Sequence, residues 1–145
     1  MLPDSFELIV VTPEKQLLHE RAVAAQLPGA GGELGILPGH APLITELGVG
    51  ELSYTGGDSR QTGALAIARG FAEVLPDRVT ILAETGERAE DIDVARAGAA
   101  LQRAEKRLAS PEADMDWDRA TIALQRALIR IQVDRKRSSA RVSTP

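Results

Sequence analysis

Arginine dominates the side chains that could do chemistry. At about 100° per residue, Arg96, Arg103 and Arg107 fall within about 40° of one another on a helix, about 120° from the apolar stripe of that segment. Arg119, Arg126, Arg130 and Arg137 repeat the arrangement further along. Guanidinium forks aligned in this way suit a polyphosphate or an acidic protein segment. A solvated helix face usually mixes signs, whereas these rows are nearly pure, which puts binding slightly ahead of mere solvation. Nucleic acid stays open as a target, since residues 119–141 hold seven basic side chains against Asp134 alone; against it stand the absence of stacking aromatics on that helix and the acidity of the chain overall, at −4.

Other chemistries fail on spacing. The stretch Gly29-Ala30-Gly31-Gly32-Glu33-Leu34-Gly35 lacks the Lys-Ser/Thr of a phosphate loop and has no helical pattern behind it. Glu33 and Glu46 could pair as carboxylates and His40 could act as a base, yet nothing in the sequence sets a nucleophile beside them, and a structural role is favoured. With no cysteine there is no disulfide, thiolate or Cys-ligated metal, and His19 and His40 belong to no paired metal-ligand motif.

The elements that must position these residues divide the chain in two. Up to about residue 86, short apolar runs alternate with turn residues, which predicts an antiparallel β-sandwich or barrel. Its strands include residues 6–11, 17–27, 43–47, 50–54, 64–68, 71–75 and 79–83, with a long structured loop through residues 28–42. From residue 87 the period changes from 2 to 3.6 and Gly and Pro almost vanish. Ala97, Leu101, Ala104 and Leu108 make the stripe of a first helix capped by Asp91 and ended at Ser110-Pro111. A second helix begins near Asp114 or Asp116, with a stripe of Trp117, Ala120, Leu124, Ala127, Leu128 and Ile131. Residues 138–145 read as a disordered tail. Such a hairpin cannot bury both its sides alone, so it leans on the β domain or on another protein.

Charge follows the same division. Residues 1–90 carry 6 basic and 13 acidic side chains, net −7, and residues 91–145 carry 11 and 8, net +3, so the halves face different partners. At 145 residues and 43% apolar content the chain makes one domain or a domain with an appendage, its core built from aliphatics because Phe6, Tyr54, Phe71 and Trp117 are the only aromatics. No apolar run reaches the roughly 20 residues of a membrane span, and Met1-Leu2-Pro3-Asp4 does not begin a signal peptide, which predicts a soluble chain that stays where it is made.

One segment carries a family resemblance. Gly32-Glu33-Leu34-Gly35-Ile36-Leu37-Pro38-Gly39-His40-Ala41-Pro42-Leu43 resembles, almost residue for residue, the hallmark loop of the epsilon subunits of F-type ATP synthases. Gly70-Phe71-Ala72-Glu73-Val74 and Val79-Thr80-Ile81-Leu82-Ala83-Glu84 are similar to that family's last two strands, with Arg69 where a second glycine is common. Ile92-Asp93-Val94-Ala95-Arg96-Ala97 resembles the nucleotide-binding pattern Ile/Leu-Asp-x-x-Arg-Ala of the bacterial members.

The resemblance implies an α+β architecture: a sandwich of about ten strands over residues 1–86, then a two-helix hairpin over 87–137. It implies a non-catalytic subunit of the rotating central stalk, docked on the gamma subunit and the polar loops of the rotor ring at the cytoplasmic face of a bacterial membrane, with a thylakoid location less favoured. Glu33, Pro38, His40 and Pro42 would serve that docking. The helices would fold against the sandwich or extend into the alpha/beta catalytic hexamer, where the row Arg119, Arg126, Arg130 and Arg137, helped by Arg135 and Lys136, would block ATP hydrolysis. A regulatory ATP would sit on the folded hairpin at Glu87, Ile92, Asp93, Arg96 and Ala97, with charge from Arg103, Arg126 and Arg130, and no cofactor is required. The competing class is a free-standing nucleotide- or nucleic-acid-binding module on a β-sandwich scaffold, which would have no need of the rigid, nearly charge-free loop.

Overall fold

Six strands lead and two helices follow. The computed structural model describes residues 2–142, with side chains described through residue 138. The order is β1 (Phe6–Val11), β2 (Gln16–Gly29), β3 (Gly32–Ile36), β4 (Leu43–Gly56), β5 (Thr62–Leu75), β6 (Arg78–Arg88), a 3-10 turn at Ala89–Asp91, α1 (Val94–Ala109) and α2 (Trp117–Val142). The strands lie in the order β1-β6-β5-β4-β2-β3, and β1 also pairs with β2, so the sheet closes into a barrel-like sandwich. Every pairing is antiparallel except β1 with β6.

The β-plus-hairpin class is as expected, but six strands replace about ten, because several glycines that look like turn signals are passed without a break. β4 runs through Gly48 and Gly50, and β5 runs through Gly70. At Gly70 the backbone reaches φ 132°, and a Cβ there would meet the Leu82 carbonyl oxygen at 2.0 Å. Glycine is needed for that close approach, and Arg69 beside it holds φ 65°. The bend tightens the sheet while the ladder to β6 continues on both sides, Ala68 opposite Thr85 and Gly70 opposite Ala83. The glycine-rich stretch is likewise not all loop: Gly29 pairs with Gly32, so β2 and β3 form a hairpin about Ala30-Gly31, and only residues 37–42 remain irregular.

Alternation builds the core. Phe6, Leu8 and Val10 of β1, Leu65 and Ile67 of β5, and Val79 and Ile81 of β6 point inward and are fully or almost fully buried. Tyr54 also lines this core, and burial, aided by the nearby Glu20 carboxylate, pushes its phenol up to about 12. Along β5 the alternation lapses: Leu65, Ala66, Ile67 and Ala68 are all buried, since Ala66 and Ala68 face outward beneath the helices.

Asp93, not Asp91, caps α1. Ile92 is extended at φ −73°, ψ 122°, which separates the 3-10 turn from the helix, and Asp93 Oδ1 accepts from the Arg96 backbone N–H at 3.1 Å. Asp116 Oδ1 accepts from the Arg119 N–H in the same way and opens α2. α2 is helical through Val142, into the segment expected as a tail, and residues 143–145 lie outside those described.

Ala97 and Ala104 of α1 and Ala120 and Ala127 of α2 are buried, small contacts that let the axes approach. Trp117 and Leu128, expected in that seam, are 53% and 48% exposed. The reason is that α2 serves two neighbours: it packs on α1 and also on β4, β5 and the 3-10 turn, while α1 leans chiefly on α2. Seating on the sheet selects Val133, wholly buried with Ala66, Ala89 and Ile92, and turns Trp117 and Leu128 outward.

Candidate functional site

Between the hairpin and the outer face of β5 and β6 lies a cleft of about 450 Å³. Its floor is small and apolar, with Ala66, Ala68 and Gly86 from the sheet. Its rim is cationic, with Arg103 and Arg107 from α1 and Arg126 and Arg130 from α2. The two helical rows therefore converge, because an antiparallel hairpin sets arginines seven or four residues apart on facing edges of one seam. Glu87 is the one carboxylate lining the cleft, and Arg130 meets it as a fork: Nε donates to Oε2 at 2.6 Å and Nη2 to Oε1 at 3.2 Å. Four guanidinium groups against one carboxylate leave the cleft positive, and its alanine-lined floor accepts an apolar body. This donor set fits an anion such as a polyphosphate.

The expected nucleotide residues divide into two groups. Glu87, Arg103, Arg126 and Arg130 line the cleft. Ile92 is buried under α2, Asp93 caps α1, Arg96 is exposed and Ala97 is buried, and none of these four lines it. Within the Ile-Asp-x-x-Arg-Ala pattern, Asp93 caps the start of α1, and Ile92 and Ala97 are packed in the seat of the hairpin. Arg119 stands at the hairpin turn beside Arg107 and Asp116, and Arg137 Nη2 donates to Asp134 Oδ1 at 3.4 Å. The second row is therefore split between the cleft, the turn and an ion pair on its own helix.

The expected docking residues lie on the β domain. Glu33 on β3 accepts from Gln26 Nε2 at 2.6 Å. Pro38, His40 and Pro42 occupy the irregular loop, where His40 Nδ1 donates to the Ala41 carbonyl at 2.7 Å and the Gly39 N–H donates to the Pro76 carbonyl at 2.8 Å. The second bond ties the loop to the β5–β6 turn.

Val133 and Glu51 carry no signal in the local pattern, and Lys136, expected only beside the arginine row of the extended hairpin, also serves the folded one. Val133 seats α2, and Lys136 Nζ donates to Glu51 Oε2 on β4 at 2.8 Å. Glu51, and more weakly Glu33, raise the Lys136 ammonium above its usual 10.5. Helical periodicity could not find these contacts, because their partners are fixed by strand register. Among the described residues, no group of three or more His, Asp or Glu is placed to hold a metal, and no helix is long and apolar enough to cross a membrane.

A closed β domain followed by a helical hairpin folded over a cationic cleft defines a two-part, β-plus-hairpin class of protein. Residues 5–89 match the family described as the ATP synthase delta/epsilon chain beta-sandwich domain, and residues 90–133 match the ATP synthase delta/epsilon chain long alpha-helix domain. Among curated relatives, the ATP synthase epsilon chain of Koribacter versatilis is 60% identical over 107 residues, 74% of each chain. That of Syntrophobacter fumaroxidans is 47% identical over 135 residues, 93% of this chain and 99% of the relative. A chain in the mitochondrial ATP synthase of Euglena gracilis, solved with OSCP, F1 and c-ring, superposes with a TM-score of 0.74 at 25% identity, covering 86% of this chain and 78% of that one. The chain belongs to the ATP synthase delta/epsilon family, as a non-catalytic subunit of the epsilon type.

Proposed function

We propose that the subunit couples and regulates within the central stalk of a bacterial enzyme, at the cytoplasmic face of the membrane. The β domain docks on the gamma subunit and on polar loops of the rotor ring through the 32–43 loop, with Glu33, Pro38, His40 and Pro42 at the contact. The hairpin is the regulatory element. Folded, it forms the cationic cleft; extended, it carries Arg119, Arg126, Arg130 and Arg137 to acidic segments of the alpha/beta hexamer and brakes ATP hydrolysis.

The observation that carries the regulatory reading is the cleft itself: Arg103, Arg126 and Arg130 converge from both helices over the sheet. These residues hold the phosphates of a regulatory ATP, and Glu87 and the alanine floor face its base and sugar. Ile92, Asp93, Arg96 and Ala97 act indirectly by fixing the start of α1. Since the cleft has walls on both helices and on the sheet, a bound anion favours the folded state over the extended one. Calorimetric titration of the full chain with ATP, with and without magnesium, tests this reading. Saturable binding that vanishes in Arg126→Ala/Arg130→Ala is expected, and no binding by the parent chain would overturn it.

A further inference from the structure

Strand register places two carboxylates in one row across the outer face of the sheet. Glu51 on β4 is opposite Ala66 on β5, and Ala66 is opposite Glu87 on β6. Glu51 and Glu87 thus flank an alanine two strands apart, about 9.6 Å at ordinary strand spacing. Val133 of α2 is wholly buried against Ala66. Arg130 and Lys136 stand three residues before and three after it, each about 60° from its direction around the helix, and about 9 Å apart along the axis. The two spacings match. Arg130 closes on Glu87 at 2.6 Å and Lys136 on Glu51 at 2.8 Å.

We propose that the row Glu51, Ala66, Glu87 is a register clamp for Arg130, Val133 and Lys136, whose outer arm, Glu51 with Lys136, holds the hairpin folded independently of any ligand in the cleft. The inner arm lines the cleft, whereas neither Glu51 nor Lys136 does. The Glu51 side chain is only 15% exposed, so removal of Lys136 leaves a carboxylate between strand and helix with its partner gone. Lys136 is 62% exposed, so salt reaches the pair and weakens it. The clamp also fixes the helix lengthwise, because a shift of one turn would carry both cations off their carboxylates together. This inference rests on the reading of the hairpin as movable.

The chain has no cysteine, so donor and acceptor dyes can be placed at Asp58→Cys in the β4–β5 turn and Glu112→Cys in the hairpin turn. Single-molecule energy transfer on the full chain without nucleotide then reports the ratio of folded to released hairpin. Lys136→Glu should lower that ratio about tenfold at low salt, and Glu51→Lys/Lys136→Glu should restore it to within about twofold. Arg135→Glu makes the same charge change on an exposed neighbour and should leave the ratio unchanged. Equal release by Arg135→Glu, or failure of the exchanged pair to restore folding, would overturn the clamp. Val133→Asp removes the apolar seat and separates the two readings. If it releases the hairpin while Lys136→Glu does not, the clamp is wrong; if neither does, the movable hairpin is wrong.

Discussion

Arg130 grips Glu87 through two parallel hydrogen bonds, at 2.6 and 3.2 Å, and so joins the middle of α2 to the end of β6. The pair is partly buried, which makes it stronger than an open surface ion pair, and its bidentate form fixes direction as well as distance. Glu87→Ala should weaken hairpin docking by about 1 kcal/mol, seen as about fivefold faster hydrogen exchange of α2 amides. Arg130→Ala should do the same. The double variant should add little to either single one, since both remove one interaction.

Nucleotide binding should follow the cleft and not the sequence pattern. Arg126→Ala/Arg130→Ala should abolish ATP binding in calorimetric titration, because it removes two of the four guanidinium groups on the rim. Arg96→Ala should change affinity by less than about threefold, since Arg96 is exposed and does not line the cleft. Loss of binding in Arg96→Ala with retention in the double variant would move the site to the start of α1.

Val133 should matter more to hairpin docking than any residue of the α2 stripe read from periodicity. It is wholly buried, whereas Trp117 and Leu128 are about half exposed. Val133→Ala should cost about 2 kcal/mol of docking free energy and speed protease cutting in the hairpin, while Leu128→Ala should cost well under about 1 kcal/mol. Equal effects would mean that α2 seats on a different face.

The contrast between Val133 and Leu128 marks where the sequence stops being legible. The 32–43 loop, the change of period near residue 87 and the two helices can all be read from local pattern. Which arc of α2 meets the sheet cannot, because two apolar arcs compete and the choice is made by Ala66, more than 60 residues away in sequence. Strand counts fail for a related reason. Gly50 and Gly70 carry turn-like chemistry, but a strand ends where its partners end, and β4 and β5 stay paired through both. Asp93 caps α1 in place of the expected Asp91, because Ile92 between them is extended and buried and so holds the helix start two residues later. The cleft is half legible: spacing aligns its arginines, but Ile92, Asp93, Arg96 and Ala97, grouped with them by the pattern, do not line it.

Alkaline pH should loosen the β domain through the chain's one tyrosine. Burial raises the Tyr54 phenol from 10.0 to about 12, so the folded chain holds this proton more tightly than the unfolded chain does. Its contribution is complete below pH 10 and is lost as pH rises toward 12. Urea midpoints should therefore fall across that interval, and Tyr54→Phe should flatten the part of the fall that tracks tyrosinate absorbance. A phenol that titrates at 10.0 in the folded chain would show that Tyr54 is solvated.

Among the described residues the hairpin docks through one wholly buried valine, small alanine contacts and two ion pairs, so its folded state is worth only a few kcal/mol and can be exchanged for docking elsewhere. Extension breaks the pairs with Glu87 and Glu51 and frees Arg130 and Lys136 for acidic segments of the catalytic hexamer, where charge pairs formed away from water would resist rotation. Deleting residues 88–145 should raise the ATP hydrolysis rate of the assembled enzyme and leave assembly intact. Neutralising Arg119, Arg126, Arg130 and Arg137 together should give much of the same activation, most clearly at low salt, because screening already weakens such pairs at high ionic strength. Lys136→Glu should have two opposed effects: it releases the hairpin and also removes one of the cations that would grip the hexamer. Stronger inhibition in Glu51→Gln than in Lys136→Glu is therefore expected, since Glu51→Gln releases the hairpin with its cations intact. Unchanged hydrolysis after the deletion, at every ATP concentration, would leave a coupling subunit without a brake.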